Sequence, residues 1–269
     1  MTGLIAQIGF GEAGLTFARA GGWRSRARAY DIAPDRAAAM AECGVAAASS
    51  ASEALAGASL VLSLVTADEA LAAAQTCAPL LDPGAIWCDM NSVAPETKQA
   101  AARVVEAAGG RFVDVAILAP VNPAGMAAPL LLSGRCAAEA QDGLAALGFS
   151  NIRVVGDAVG RASAIKMIRS VMVKGIEALT AEMIAAAEAA GVTDEVLASL
   201  DASERPWGWG QRAQYNLERM ATHGQRRAAE MEEVARTLTA LGIEPIMSAA
   251  TALRQREAAS RARKRKEIA

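Results

Sequence analysis

The sequence predicts an α/β Rossmann-type domain with a parallel sheet over residues 1–158, followed by an all-α domain over residues 159–269. Short apolar runs alternate with longer helical segments up to about residue 155, which is typical of βαβ units. After Gly160 no strand pattern returns, and apolar residues recur at three- and four-residue spacings instead. A length of 269 residues suits one large or two ordinary domains.

Apolar runs in the first half define the predicted strands. The run Leu60–Val65 is almost continuously apolar, the pattern of a strand that is covered on both faces. Pro34 and Pro95 each open a helical segment near its first turn, where the missing N–H has no partner to lose. The predicted strands are Leu4–Ile8, Ala27–Tyr30, Leu60–Val65, Ala85–Cys88, Phe112–Ile117 and Ile152–Val155.

The second half is predicted to be helical throughout. Its longest helix spans Arg161–Ala190, which contains no proline, and is expected to stop at Gly191. Trp207-Gly208-Trp209 is interpreted as a packing corner between helices, with a hydrophobic lid over a substrate as the alternative. Further helices are predicted over Thr193–Leu200, Arg212–Met220, Arg226–Leu241 and from Pro245 onward.

Composition excludes several classes of protein. With 53% apolar and 21% charged residues the chain can bury a core, so disorder over most of its length is excluded. A net charge of −2 argues against a nucleic-acid binder, and the basic run over the last nine residues is interpreted as a solvated helix end. Prolines interrupt the longest uncharged stretch, residues 115–134, so no membrane helix is predicted.

The cysteines and the amino terminus bear on the expected compartment. The four cysteines have no paired spacing and lie among small apolar residues, so neither a disulfide framework nor a metal site is predicted. No charged segment precedes the first apolar run, which argues against a signal peptide. We therefore expect a reducing, cytoplasmic location.

A glycine motif follows the first predicted strand. Gly9-Phe10-Gly11-Glu12-Ala13-Gly14 has the spacing G-x-G-x-x-G, in which the glycines make a tight turn, admit a pyrophosphate and let helix and strand pack. Asp31 ends the second predicted strand, where a carboxylate accepts hydrogen bonds from a ribose diol and repels a 2′-phosphate. The sequence therefore predicts a dinucleotide site that favours NAD. Arg36 and Arg24–Arg28 leave NADP open, and Val65 and Thr66 are expected at the same edge.

Polar residues also follow the predicted strand Ala85–Cys88, in the stretch Asp89-Met-Asn-Ser-Val-Ala-Pro-Glu-Thr-Lys98. Ligands of open α/β sheets bind at this edge, at the carboxyl ends of the strands. Ser92 and Asn91 are therefore expected either to face a ligand or to cap the helix that follows.

The start of the long helix holds a lysine among small and apolar residues, Lys166. A desolvated lysine can act as a general acid or base near neutral pH. The alternative is a lysine that extends from a half-buried helix to water, and spacing alone favours that second interpretation.

The three motifs occur together and in order, and in this they resemble the β-hydroxyacid dehydrogenase superfamily, which includes 3-hydroxyisobutyrate and 6-phosphogluconate dehydrogenases. Residues 220–231 and 246–251 resemble a less characterised branch with its own C-terminal helical domain. The resemblance covers essentially the whole chain. It implies an NAD(P)-dependent oxidoreductase that transfers a hydride between the nicotinamide and a β-hydroxy acid or related hydroxy compound. It places Ser92 beside the nicotinamide and substrate, and makes Lys166 the acid/base that exchanges the hydroxyl proton.

Two departures from the family pattern concern the substrate. Leu118-Ala119-Pro120 stands where the family has Ser-Gly-Gly, and Ser170 stands where it has asparagine. Asn122, Ser170 and Arg169 are expected as replacement contacts for an anionic small molecule. His223, with Arg226 or Arg227, is a further candidate for an anionic group, a solvated helix face being the alternative.

The sequence also suggests an oligomeric state and two alternative functions. The alanine-rich long helix suggests a homodimer through the helical domain. An imine or ketone reductase on the same fold is the first alternative function, although imine reductases generally lack the lysine. A nucleotide-binding protein without turnover is the second.

Overall fold

The computed structural model describes residues 4–268, with side chains described as far as Lys264; the side chains of residues 265–269 of the basic run lie outside the described residues. The chain divides into two compact units at Ser170. This division falls inside the long helix and later than the boundary expected at residue 158. The reason is that the first turn of the helix packs on the sheet, where Ala162 and Ser163 are buried.

The first unit is built around an eight-stranded sheet with the order β3-β2-β1-β4-β5-β6-β7-β8. Its described strands are β1 (Leu4–Ile8), β2 (Ala27–Tyr30), β3 (Ala46–Ala47), β4 (Ala58–Ser63), β5 (Ile86–Asp89), β6 (Arg111–Ile117), β7 (Leu130–Ser133) and β8 (Ile152–Gly156). All neighbouring pairs are parallel except β6 and β7. The α/β prediction is confirmed, and the six predicted strands are all present.

The expectation of a wholly parallel sheet is wrong at β7. This strand was not predicted, because Leu130–Ser133 continues an uncharged segment interrupted by prolines. The connection from β6 contains only one-turn helical pieces, too little for the crossover helix that a parallel return requires. The chain therefore doubles back, and the N–H of Leu118 donates to the carbonyl of Pro129 at 2.9 Å.

Helices cover both faces of the sheet and make up the second unit. In β1, Ile5 faces a core shared with α1 and α7, while its neighbour Ala6 faces a core shared with α3, α4 and α5. The described helices are α1 (Glu12–Gly21), α2 (Arg36–Glu42), α3 (Ala51–Leu55), α4 (Ala70–Cys77), α5 (Pro95–Ala107), α6 (Val121–Ala124), α7 (Ala137–Ala146), α8 (Arg161–Ala190), α9 (Thr193–Ser203), α10 (Trp209–Ala240) and α11 (Ile246–Ile268). Within the described residues no helix is long and apolar enough to cross a membrane.

In the second unit α10 is one helix, whereas the sequence predicted two, over Arg212–Met220 and Arg226–Leu241. A glycine inside a helix costs about 1 kcal/mol relative to alanine, which makes the segment around Gly224 look like a break. Gly224 is instead a packing point, because a Cβ there would lie only 2.3 Å from the carbonyl oxygen of Gln255 on α11. Close contact between the two helices therefore explains why the helix continues through a glycine.

Glu182 of α8 caps the amino terminus of α11. Its carboxylate accepts hydrogen bonds from the N–H of Met247 at 2.7 Å, from the N–H of Ser248 at 2.9 Å and from the Ser248 hydroxyl at 2.6 Å. Partial burial raises the pKa of Glu182, but these hydrogen bonds from Ser248 and Met247 outweigh it, and the net pKa is lowered. The ionised carboxylate therefore stabilises the second unit.

This cap predicts a pH-dependent loss of stability. A lowered pKa in the folded state means that stabilisation is complete above the unfolded value, near 4.3, and is lost as pH falls through the folded value. Glu182→Gln is expected to lower the free energy of unfolding at pH 7 by up to about 1 kcal/mol, with a gap to wild type that closes toward acid pH. Urea titrations at several pH values measure this difference in the free energy of unfolding between wild type and Glu182→Gln. Glu188→Gln, at an exposed position of the same helix, is the control. A difference between wild type and Glu182→Gln that does not change with pH would contradict the role of Glu182 as an ionised cap.

Candidate nucleotide-binding and catalytic site

The predicted dinucleotide residues meet at the carboxyl ends of β1, β2 and β4. They line a cavity of about 540 Å³ that includes Gly9, Gly11, Glu12, Ala13, Asp31, Val65 and Thr66. The chain places β2 and β3 on one side of β1 and then crosses from β3 to β4 on the other side, so the strand order reverses at β1. Ligands of open α/β sheets bind at such a switch point.

Two glycines of the motif are required by packing. Gly9 has φ +90°, and a Cβ there would lie 2.4 Å from the carbonyl oxygen of Leu64. At Gly14 a Cβ would lie 2.2 Å from Nε2 of Gln7, the nitrogen that donates to the Gly9 carbonyl at 3.0 Å. These contacts hold the loop, the first strand and the first helix together.

Gly11 differs from both, because a Cβ at this position would meet nothing within 4 Å. It caps α1 with extended backbone and no side-chain hydrogen bond, so in the described structure no side chain occupies the first N–H groups of that helix. Uncapped N–H groups and the helix dipole form an anion site. The open approach at Gly11 and the size of the cavity therefore fit the pyrophosphate of a dinucleotide.

Asp31 lies beside the same loop. Its carboxylate accepts from the N–H of Phe10 at 2.6 Å and from the N–H of Ala33 at 2.8 Å. Each oxygen keeps a second lone pair, which leaves acceptor capacity for a hydroxyl pair. Arg36 lines the same cavity and lies 4.0 Å from Asp35, so a positive group is also present at this end.

A second cavity, of about 310 Å³, adjoins the first and contains both Lys166 and Ser92. Leu64, Val65 and Ala13 line both cavities. The Lys166 ammonium donates a hydrogen bond to the Ser92 hydroxyl. The structure thus brings together two predicted residues that are 74 positions apart in the chain.

Asn91 fixes the loop that presents Ser92. Its amide oxygen accepts from the N–H of Val65 at 2.8 Å, and its amide nitrogen donates to Ser63 at 3.0 Å. Its own N–H donates to Asp89 at 3.0 Å. Asn91 does not cap α5, whose N-cap is Ala94. Its side chain ties the end of β4 to the loop after β5, and the residue also lines the second cavity.

A fully buried lysine, Lys98, lies beneath this loop. Its ammonium donates to the carboxylate of Asp89 at 2.9 Å and to the carbonyl of the same residue at 2.5 Å, and it lies 3.5 Å from the carboxylate of Asp114. All three side chains are almost completely excluded from solvent. This cluster was not predicted from the sequence, because a lysine in the first turns of a helix is ordinarily solvated.

Asp114 also caps the helix that carries Lys166. One carboxylate oxygen accepts from the N–H of Gly160 at 3.1 Å and from the N–H and hydroxyl of Ser163 at 3.0 and 3.1 Å. Ser133 bridges the same groups, since its hydroxyl donates to Asp114 and accepts from the N–H of Ala162. The buried cluster therefore links the Ser92 loop to the start of α8.

Three other predicted site residues of the first unit, Phe10, Asn122 and Ser170, do not line the Lys166 cavity. The side chain of Phe10 is in the core, and only its N–H reaches the loop. The amide of Asn122 donates to Glu12 at 3.3 Å, and the Ser170 hydroxyl donates to the carbonyl of Lys166 at 2.9 Å. His223 lies exposed on α10, in the second unit.

The cysteines behave as buried apolar residues. Cys77 lines the first cavity, and burial raises the pKa of its thiol to about 11. Burial also raises the pKa of Cys88 far above neutrality. Both thiols are therefore protonated at physiological pH, and neither has the thiolate character of a nucleophile.

Comparison with known proteins identifies the family. A family model described as the NAD binding domain of 6-phosphogluconate dehydrogenase matches residues 4–146, more than half of the chain. The chain belongs to this family. A second model, described as a domain of unknown function (DUF1932), matches residues 187–258 within the helical unit. The 6-phosphogluconate dehydrogenase-like resemblance and its separate C-terminal domain are thereby confirmed.

Solved structures extend this family assignment along the chain. A conserved hypothetical protein from Sinorhizobium meliloti 1021 is 39% identical, covers 97% of this chain and 89% of that one, and has a TM-score of 0.64. The conserved protein MTH1747, whose structure is described as similar to 3-hydroxyacid dehydrogenases, is 32% identical over 96% of this chain and 97% of that one, with a TM-score of 0.62. An imine reductase from Myxococcus stipitatus in complex with NADP⁺ is 18% identical over 96% and 94%, with a TM-score of 0.78, and shows the shared fold.

Membership of the 6-phosphogluconate dehydrogenase NAD-binding family agrees with the geometry at β1. The motif residues 9–14 lie inside the matched region, and the cavity beside them fits a dinucleotide. The chain carries an NAD(P)-binding domain of the 6-phosphogluconate dehydrogenase family.

Proposed function

We propose that the protein transfers a hydride reversibly between a nicotinamide cofactor and a β-hydroxy acid or related hydroxy compound, with Lys166 as general acid/base. The contact between the Lys166 ammonium and the Ser92 hydroxyl, in a cavity that adjoins the nucleotide cavity, carries this proposal. The cofactor supplies or accepts the hydride at its nicotinamide carbon. The side chains of the protein position the substrate and transfer one proton.

The proposed roles follow from the donors and acceptors at the second cavity. In oxidation the substrate loses a hydride from carbon and a proton from oxygen; neutral Lys166 takes that proton as the C–O bond becomes a carbonyl. In reduction the Lys166 ammonium returns the proton to the carbonyl oxygen. Ser92 donates to or accepts from the same substrate oxygen and orients it toward Lys166.

The residues that line the second cavity indicate how polar its substrate can be. Lys166 carries the only charge among the described lining residues, and most of the others are apolar, including Met90, Ile117 and Pro120. Lys166 is committed to acid/base work in this proposal, so these residues offer no separate cation for a carboxylate. This observation supports a second candidate function, reduction of an apolar ketone or imine at the same site.

Steady-state assays separate these candidates. The full chain is tested with NADH and NADPH against a panel of ketones, imines and 3-oxo acids, and with the oxidised cofactors against 3-hydroxy acids. Turnover of 3-hydroxy acids or 3-oxo acids supports the main proposal, and turnover of imines or apolar ketones without the acids supports the second. Cofactor binding with no turnover across the panel would overturn both in favour of a nucleotide-binding protein.

Asp31 predicts a preference for NADH over NADPH. A 2′-phosphate would meet the Asp31 carboxylate, so NADPH is expected to bind about tenfold more weakly, roughly 1.4 kcal/mol. Asp31→Asn keeps one oxygen that accepts from the N–H of Phe10 but removes the negative charge. The ratio of the NADPH and NADH dissociation constants should therefore become smaller. Fluorescence titration with NADH and with NADPH measures the two dissociation constants. Glu42→Gln, at the exposed end of α2 and outside the cavity lining, is the control, and tighter wild-type binding of NADPH would contradict the role given to Asp31.

We also propose that the helical unit forms a homodimer. Its part of α8 exposes several large apolar side chains, among them Val171 at 75% and Met172, Ile176 and Leu179 each above 40%. A second copy of the chain would remove this surface from water. Size-exclusion chromatography with light scattering gives the mass, and a monomer at micromolar concentration would overturn the proposal.

A further inference from the structure

Arginine and aromatic side chains cluster at the start of α10, within the second unit. Tyr215 and Arg219 are four residues apart on one face of the helix, and Arg219 donates to the Tyr215 hydroxyl at 2.6 Å. Trp207, which precedes the helix, packs edge-on against Tyr215 with ring centroids 4.9 Å apart. The two rings form a floor beneath the guanidinium groups.

Two cations converge on this floor. The Arg205 guanidinium lies 4.8 Å from the centroid of Trp207 and 5.6 Å from that of Tyr215, and the Arg219 guanidinium lies 5.4 Å from Tyr215. Each contact between a guanidinium group and a ring is favourable, but the two positive charges repel each other. The arrangement therefore favours a negative charge placed between them.

Neighbouring carboxylates do not supply that charge. Arg212 is paired with Glu204 at 2.7 Å, which neutralises one cation of the region. Among the described residues, no carboxylate lies within 4 Å of Arg205, Arg219 or Arg227. The guanidinium groups of Arg205 and Arg219, which lie over the same Tyr215 ring, thus share no carboxylate partner among the described residues.

Two of these arginines hold donors without acceptors. In the described structure the Nε atoms of Arg219 and Arg227 are shielded from solvent and make no hydrogen bond. A shielded donor left unpaired is destabilising, and more so when it belongs to a charged group. The hydrogen bond from Arg219, together with the charges of Arg219, Arg205 and Arg227, also lowers the pKa of Tyr215.

We propose that Arg205, Tyr215 and Arg219 bind a small oxyanion, the phosphate or carboxylate group of a ligand. Guanidinium forks match both groups by paired N–H donors, and a charge-assisted hydrogen bond is about twice as strong as a neutral one. The Tyr215 hydroxyl, which accepts from Arg219, has its own proton to donate to the anion. The site lies wholly in the helical unit and does not depend on the proposed oxidoreductase activity.

Calorimetric titration of the full chain with inorganic phosphate and with malonate tests the site. Saturating NADH is present throughout, because the uncapped end of α1 would also attract phosphate, and chloride keeps the ionic strength constant. Saturable binding of one anion per chain is expected. Tighter binding of phosphate identifies a phosphate ligand, and tighter binding of malonate identifies a carboxylate.

Variants assign the binding to this cluster. Arg219→Gln and Arg205→Gln are each expected to weaken binding about tenfold or more, while Arg236→Gln, which breaks a pair with Glu233 on the same helix, should leave it unchanged. Circular dichroism and thermal unfolding show whether each variant is folded. Should Arg219→Gln fail to fold, Tyr215→Phe keeps the ring and should weaken binding severalfold.

Phenolate absorbance gives a second readout. A bound anion offsets the guanidinium charges, so phosphate or malonate should raise the pKa of Tyr215 in wild type, and this change should vanish in Tyr215→Phe. No saturable heat with either anion, or equal binding by wild type and a folded Arg219→Gln, would overturn the proposal.

Discussion

Replacing Lys166 by alanine is expected to lower turnover by about 10²–10⁴-fold while leaving NADH binding unchanged. The reason is chemical: the ammonium that contacts Ser92 is the one charged group among the described residues lining the second cavity. Without it no side chain there moves a proton to or from the substrate oxygen. Turnover is measured with the compound that reacts fastest in the substrate panel, and cofactor affinity by fluorescence titration.

Two further variants separate proton transfer from charge alone. Lys166→Arg keeps the positive charge but does not release a proton near neutral pH, so it should be nearly as slow as alanine. Lys174→Ala removes an exposed lysine of the same helix and should turn over like wild type. Wild-type turnover by a folded Lys166→Ala would refute the acid/base assignment.

The largest effect on stability is expected from the buried lysine. Lys98→Met leaves the Asp89 and Asp114 carboxylates buried without their cation, and the free energy of unfolding should fall by about 3–5 kcal/mol. Urea unfolding followed by circular dichroism measures this loss. The loss reflects an uncompensated charge and is larger than the net contribution of the ion pair itself.

The half-exposed ion pair between Arg111 and Glu139 provides the control for Lys98→Met. Arg111→Met removes the cation of that pair and should cost no more than about 1 kcal/mol, because solvent screens both partners. A loss of 1 kcal/mol or less in Lys98→Met would show that the cluster is not an electrostatic unit.

Local signals were sufficient to predict much of the fold. The glycine spacing at residues 9–14 predicted the turn between β1 and α1, since backbone geometry and close packing leave no room for a side chain at Gly9. The continuous apolar run at β4 likewise reported a strand covered on both faces. Both signals are local properties of a few adjacent residues, which is why sequence alone carried them.

Long-range contacts account for what sequence did not predict. Nothing near Lys98 indicates that two carboxylates from β5 and β6 close over it, and nothing near Asn122 indicates that it turns toward Glu12. The proximity of Ser92 and Lys166 rested on a family resemblance, and the structure brings the two together. Their roles in catalysis stay predictions.

Leu64 and Val65 form a wall common to the nucleotide cavity and the Lys166 cavity. A ligand that shifts this wall as it fills one cavity changes the affinity of the other. Linkage requires the factor to be the same in both directions. A nucleotide in the first cavity and a substrate in the second would therefore contact the same two side chains, and the effect of each ligand on the affinity of the other can be measured from either side.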